Sequence, residues 1–177
     1  MRILMLLTQD LESPSGLGRY KPLATELSRL GHSVHIVALH SNYQKLENKY
    51  HSEDGFRVSY IGQMHVLKEG NQKQYFSKRR LFAITAKATW GFSRTAINYL
   101  TDIIHIAKPH PMNSIAGILA KYLRNIPFLL DCDDYEAASG RFSSRWEEWL
   151  ISKFEQWTPR KASIVTTNTF FMKEKLI

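Results

Sequence analysis

The sequence holds a single cysteine among 177 residues, Cys132. A lone thiol excludes a disulfide scaffold and any zinc site built from several cysteines. No apolar run approaches the roughly 20 residues that a membrane-spanning helix needs. The first apolar stretch, residues 3–7, is too short for the core of a signal peptide, so a cytoplasmic protein is expected. Internal repeats, low-complexity tracts and Pro/Gly-rich linkers are absent, and the length fits a single domain over residues 1–177. What remains is a globular balance, 44% hydrophobic and 23% charged, which excludes a disordered chain.

Acid is scarce in one region. The net charge is +8, and residues 68–94 carry seven Lys/Arg against one acid, Glu69. A localised basic patch points to an anionic partner on one side of the molecule, such as phosphate groups or an anionic lipid surface. No nucleic-acid recognition module is visible, so nucleic acid is not the expected partner.

Residues 2–8 (RILMLLT) form an apolar run without alternation, the pattern of a strand covered on both faces, as in a parallel sheet. A polar Gly/Ser/Pro loop follows at 9–18. Leu23, Leu27 and Leu30 then take helical spacing, and Gly31 sits where a left-handed helix cap is wanted. A second buried strand reads at 34–39. This strand–helix–strand unit marks parallel α/β architecture. Further strands read at 56–61, after the Asp54-Gly55 turn signal, and at 102–107, 127–132 and 163–167. Residues 62–74 read as a polar loop. Helices read at 77–100, 113–123, 144–157 and from 170, the third opened by the capping-box spacing of Ser144 and Glu147.

The predicted fold is α/β: a doubly wound, mostly parallel, Rossmann-like sheet with helices on both faces. Ligands of such sheets bind beyond the carboxyl ends of the strands, where the strand order reverses. With the first and fourth strands flanking that reversal, residues 9–18 and 108–112 line the crevice and residues 131–135 lie beside it.

Ser15-Gly16-Leu17-Gly18-Arg19 falls between the first strand and helix. Glycines there let the backbone approach a ligand, and a helix N-terminus offers N–H groups to an anion; a plain turn is the other reading. The dinucleotide pattern G-x-G-x-x-G fails, because Lys21 replaces the third glycine and no acid ends the second strand. Asp131 and Asp133, two apart on a strand, share a direction and could converge on a metal, or could instead cap the next segment and bond loop N–H groups. His105 lies inside an apolar strand and reads as a buried, satisfied histidine. His110, between Pro109 and Pro111, is better placed for proton transfer, and Lys108 beside it could face an anion; both also read as ordinary loop residues. Arg80, Lys87 and Arg94, spaced by seven, share one helix face beside an apolar stripe of Leu81, Ile84, Ala88 and Phe92. That basic face is either solvated or meets anionic lipid headgroups. Trp146, Trp149, Leu150, Phe154 and Trp157 follow helical spacing and read as a core face; Glu147 and Glu155 on the same helix read as a chance pair.

Several of these segments, taken in order, resemble the N-terminal half of family 4 glycosyltransferases of the GT-B fold. They are Met1-Arg2-Ile3-Leu4, the Ser15–Arg19 loop, Leu23-Ala24…Leu27…Gly31-His32-Ser33-Val34, Asp102-Ile103-Ile104-His105, Pro127…Asp131…Asp133-Asp134-Tyr135-Glu136, and residues 162–169 with Phe171…Leu176. The resemblance implies the acceptor-binding half of a retaining enzyme that moves a sugar from a nucleotide-sugar co-substrate to a glycan or lipid-linked acceptor, with no bound cofactor or metal. The nucleotide-gripping C-terminal domain lies outside this chain, so the chain alone is expected to be inactive. By position, Gly16, Gly18 and Arg19 would lie near the donor diphosphate and acceptor, with Lys108 as a further phosphate contact. Asp133 and Asp134 would face the cleft and bond acceptor hydroxyls. The family often has a catalytic-site histidine where this chain has Ala107; His110 is the nearest substitute, so His110 and Asp133 are the catalytic candidates. Two alternatives stand beside this reading: a metal-dependent transferase with a divalent ion on Asp131 and Asp133, and a non-catalytic module that binds a membrane surface, peripheral at its inner face, through Arg80, Lys87 and Arg94.

Overall fold

The computed structural model describes residues 1–69, 72–135 and 145–176. The first strand, β1 (Arg2–Leu7), is buried from Ile3 onward. Ile3, Met5 and Leu7 point to one face, Leu4 and Leu6 to the other. Both faces are covered, which is why the run lacks polar alternation. The chain then makes a five-residue π-helical turn, Gly16–Tyr20, that runs into α1 (Lys21–Arg29). Gly31 follows with φ 83°, in the left-handed region. β2 (Ser33–His40) returns parallel to β1.

β3 (Tyr50–Glu53) and β4 (Phe56–Gln63) form an antiparallel hairpin on β2. Its turn residues, Asp54 and Gly55, both have positive φ, 46° and 86°, the conformation a tight hairpin requires. β5 (Val66–Glu69) and β6 (Gln72–Tyr75) make a separate two-stranded sheet. α2 (Lys78–Asn98) leads to β7 (Ile103–Ala107), α3 (Pro111–Arg124), β8 (Phe128–Cys132), α4 (Arg145–Trp157), β9 (Ile164–Thr167) and α5 (Phe170–Leu176).

The main sheet has the order β3-β4-β2-β1-β7-β8-β9, with every pairing parallel except β3 with β4. Tyr20 and Ala24 pack on one face, with Ile3, Met5, Leu7 and Ile36. Ala88 and Phe92 of α2 and Ala116 and Ala120 of α3 pack on the other, with Leu4, Leu6, Ile104 and Phe128. α3 approaches β7 closely at Gly117, where an added Cβ would run into the Ile106 side chain. The chain is thus doubly wound, and its order reverses between β1 and β7, as the strand pattern implied.

Three expectations need correction. Residues 62–74 are not a loop: they hold the end of β4 and the paired strands β5 and β6, which are largely polar apart from buried Val66 and neighbouring Leu67. Strand β3 was not foreseen; as a polar edge strand it carries no apolar signal. The aromatic face of α4 is not core. Trp146, Trp149 and Trp157 are exposed, and Glu155 is the helix residue that is buried. Helical spacing identifies residues that share a face but does not choose which face meets the sheet. The capping role assigned to Ser144 and Glu147 lies outside the described residues.

Candidate functional site

The crevice opens beyond the carboxyl ends of β1 and β7. Two first-turn features of α3 fix it. His110 precedes Pro111 at the helix start, and its Nδ1 lies 3.3 Å from Thr8 Oγ1 at the end of β1. Asn113, fully buried, donates from Nδ2 to the carbonyls of Leu6 (3.3 Å) and Ala107 (2.8 Å), so one amide ties the two strand ends together where the order reverses.

The loop after β1 folds back on itself. Ser13 Oγ donates to the Asp10 carbonyl and accepts from Gly16 N. Gly16 is buried, and a Cβ there would collide with the Asp10 carbonyl oxygen and lie 2.7 Å from the Leu11 backbone. Its glycine is required by this internal packing. Gly18 is exposed and has open space where a Cβ would go. Of the two glycines, Gly18 is therefore the one that leaves room for a ligand.

Arg19 reaches across to the end of β8. Its Nε and Nη2 donate to Asp131 Oδ2 and Oδ1 at 2.7 and 2.6 Å. Tyr20, buried behind it, and Thr166 of β9 also donate to the same carboxylate. The Asp131 bonds hold the Arg19 guanidinium above its ordinary pKa, and burial together with the Asp131 charge raises that of the Tyr20 hydroxyl. His105 lies beneath, with its ring centroid 6.0 Å from that of Tyr20. Burial lowers its pKa to about 4, opposed by Asp131 and reinforced by Arg19, so it is neutral near pH 7. This matches its reading as a buried histidine but not as a satisfied one, since its Nδ1 is buried without a hydrogen-bond partner among the described residues.

Lys108, first residue past β7, has φ 67°, a left-handed conformation that costs a non-glycine residue about 1 kcal/mol or more. Its backbone N–H donates to the Asp131 carbonyl. Its ammonium donates to Asp134 Oδ2 at 2.9 Å and pairs with Asp133 Oδ1 at 3.4 Å. Burial raises the Asp133 carboxyl pKa, and Lys108 opposes that rise. Cys132, between these acids, is buried and its thiol pKa is pushed up to about 12, mainly by desolvation, so it is inert at neutral pH.

The geometry thus brings Arg19, Lys108, His110, Asp133 and Asp134 to one rim, with Gly18 on the adjoining turn. Gly16 lies beneath it, packed into the loop. Arg80, Lys87 and Arg94 are exposed on α2, away from this network. Among the described residues no group of three or more His, Cys, Asp or Glu stands together to hold a metal ion. Both oxygens of Asp131 already accept hydrogen bonds, and Asp133 faces an ammonium, so the Asp131–Asp133 pair does not fit a divalent cation. Sequence reading missed Tyr20, Asn113 and Thr166. Tyr20 and Asn113 are buried and Thr166 is exposed on the edge strand β9; each is polar and recognisable only by a partner elsewhere in the chain.

A family model described as glycosyl transferase 4-like domain matches residues 15–177. The chain belongs to the glycosyl transferase 4-like family. No curated protein sequence matches it. Among solved structures, sucrose-phosphate synthase of Thermosynechococcus elongatus aligns over 99% of this chain and 81% of its own, at 14% identity and a TM-score of 0.64. The UDP-GlcNAc 2-epimerase of Neisseria meningitidis, bound to UDP-GlcNAc, aligns over 99% and 42%, at 13% identity and a TM-score of 0.58. That of Methanocaldococcus jannaschii aligns over 99% and 42%, at 16% and 0.56. The chain spans less than half the length of both epimerases. These likenesses establish the fold, an α/β Rossmann-like domain of the GT-B type. The rim just described lies beyond the carboxyl ends of the strands at the point where the sheet order reverses.

Proposed function

We propose that the chain is the acceptor-binding half of a retaining glycosyltransferase, which moves a sugar from a nucleotide-sugar donor to a glycan or lipid-linked acceptor. The observation that carries this reading is the convergence of Arg19, Lys108, His110, Asp133 and Asp134 at the β1/β7 switch point of a glycosyl transferase 4-like domain. The nucleotide is gripped by a second domain, C-terminal to this one, and the chain alone does not transfer sugar.

The rim residues divide the work. Gly18 leaves room for the donor diphosphate to approach the backbone, and Lys108 and Arg19 supply positive charge where the leaving phosphate gains negative charge. Asp133 and Asp134 accept hydrogen bonds from acceptor hydroxyls. His110, at the rim beside Thr8, is the candidate for proton transfer. The basic face of α2, with Arg80, Lys87 and Arg94, meets an anionic membrane surface that carries the acceptor. Trp90, 71% exposed, lies beside this face, and the helix contains no acid.

The test joins this chain to its C-terminal nucleotide domain and follows sugar transfer to saccharide acceptors by NMR of the anomeric proton. The reading expects transfer with retention in the joined protein and none with residues 1–177 alone. Inversion, or micromolar binding of a nucleotide-sugar by residues 1–177 alone, contradicts it.

A further inference from the structure

Asp131 has the most heavily bonded carboxylate in the crevice and no assigned task. Its side chain is 3% exposed and accepts from Arg19 Nε, Arg19 Nη2, Tyr20 OH and Thr166 Oγ1 at 2.7, 2.6, 3.3 and 2.9 Å. These donors come from two directions. Arg19 and Tyr20 belong to the turn after β1, Thr166 to β9, and β7 lies between β1 and β8. The bonds therefore draw the π-helical turn over the carboxyl end of β7.

The guanidinium is planar and carries five N–H groups in a fixed fork. Asp131 takes one edge, formed by Nε and Nη2. Fixing those two atoms fixes the direction of the remaining edge, and the Arg19 side chain is 36% exposed. Buried His105 is neutral beside this pair, so it does not compete with Arg19 for Asp131. A buried ion pair is weak evidence of stabilisation by itself, because desolvation offsets much of the attraction. A bidentate pair that leaves one guanidinium edge outward is suited to orienting that edge.

We propose that Asp131 is a positioning residue of this crevice: it aims the outer guanidinium edge of Arg19 at the diphosphate of the sugar donor. The inference rests on the functional reading above and adds a residue to it. A bidentate arginine holds a phosphate in one orientation, where a lysine supplies only a point charge.

The chain is titrated with inorganic pyrophosphate while NMR follows the amides of Gly18 and Arg19 and the Arg19 Nε–Hε signal. Asp131→Asn removes a negative charge from the site, so electrostatics alone would tighten pyrophosphate binding. The proposal expects the opposite, a weakening of at least tenfold. Thr166→Val removes another donor from the same carboxylate without touching Arg19, and is expected to bind within twofold of the parent. Should Asp131→Asn fail to fold, Arg19→Lys keeps the cation but not the fork and is expected to show the same tenfold loss. Parent-like or tighter binding by Asp131→Asn overturns the positioning role and leaves the functional reading standing. A loss in Thr166→Val equal to that in Asp131→Asn assigns the network a structural role only and also overturns it. Absence of any crevice perturbation in the parent chain overturns the placement of the diphosphate and this inference together.

Discussion

Gly16 and Gly18 stand two residues apart, and their surroundings separate packing from ligand approach. A methyl at Gly16 meets backbone that cannot yield, so Gly16→Ala is expected to destabilise by about 1–3 kcal/mol. A methyl at Gly18 meets nothing, and alanine suits a helical turn, so Gly18→Ala should hold stability or raise it by up to about 1 kcal/mol. Urea denaturation followed by circular dichroism checks both. His105 gives a pH prediction. Its folded pKa of about 4 lies below the ordinary 6.5, so between these values the unfolded chain binds the extra proton. Stability is then full above pH 6.5 and falls as pH drops towards 4, by about 3 kcal/mol from this group. His105→Gln should flatten that part of the profile in thermal melts. At this scale the sequence was only partly readable. Asp131 stood out as an acid at a strand end, but its partner Arg19 is 112 residues away, and spacing alone favoured a capping or hydrogen-bond role over a metal without naming the partner.

Among the elements, α2 makes the sharpest surface prediction. Its buried stripe of Ala88 and Phe92 packs on the sheet, and Gly91 lets Ile61 approach to 3.1 Å of where a Cβ would lie. The outer face holds Arg80, Lys87 and Arg94, with exposed Trp90 beside them. Vesicles of phosphatidylglycerol and phosphatidylcholine should therefore sediment the chain at low salt. Reversing Arg80, Lys87 and Arg94 to Glu should abolish this, and purely zwitterionic vesicles should bind at least tenfold more weakly. Binding that survives the reversal contradicts the assignment. Where an element was long and periodic, as α2 is, or an unbroken apolar run, as β1 is, the sequence announced it. The β5–β6 hairpin escaped because its anchors are polar: Asn42 Nδ2 donates to the Lys68 carbonyl, Gln63 Nε2 to the Val66 carbonyl, and Lys68 pairs with buried Asp10 at 3.6 Å. α4 was found but turned the wrong way, since its tryptophans face outward.

For the whole molecule, the architecture followed from few signals. Unbroken apolar strands, short links and helical spacers leave little choice but a doubly wound parallel sheet, because crossovers between parallel strands are right-handed. The position of the switch point, and hence of the crevice, came with that topology. Which of its polar groups pair with which did not, because those partners meet only in three dimensions. No helix among the described residues is long and apolar enough to cross a membrane. The central claim is that the rim beyond β1, β7 and β8 receives the sugar acceptor. Amide hydrogen exchange of the chain, with and without a saturating saccharide acceptor, tests it most directly. The account predicts added protection confined to residues 9–18, 108–112 and 131–134. Protection that appears elsewhere, for instance along β3 and β4, with these three segments unchanged, would contradict it.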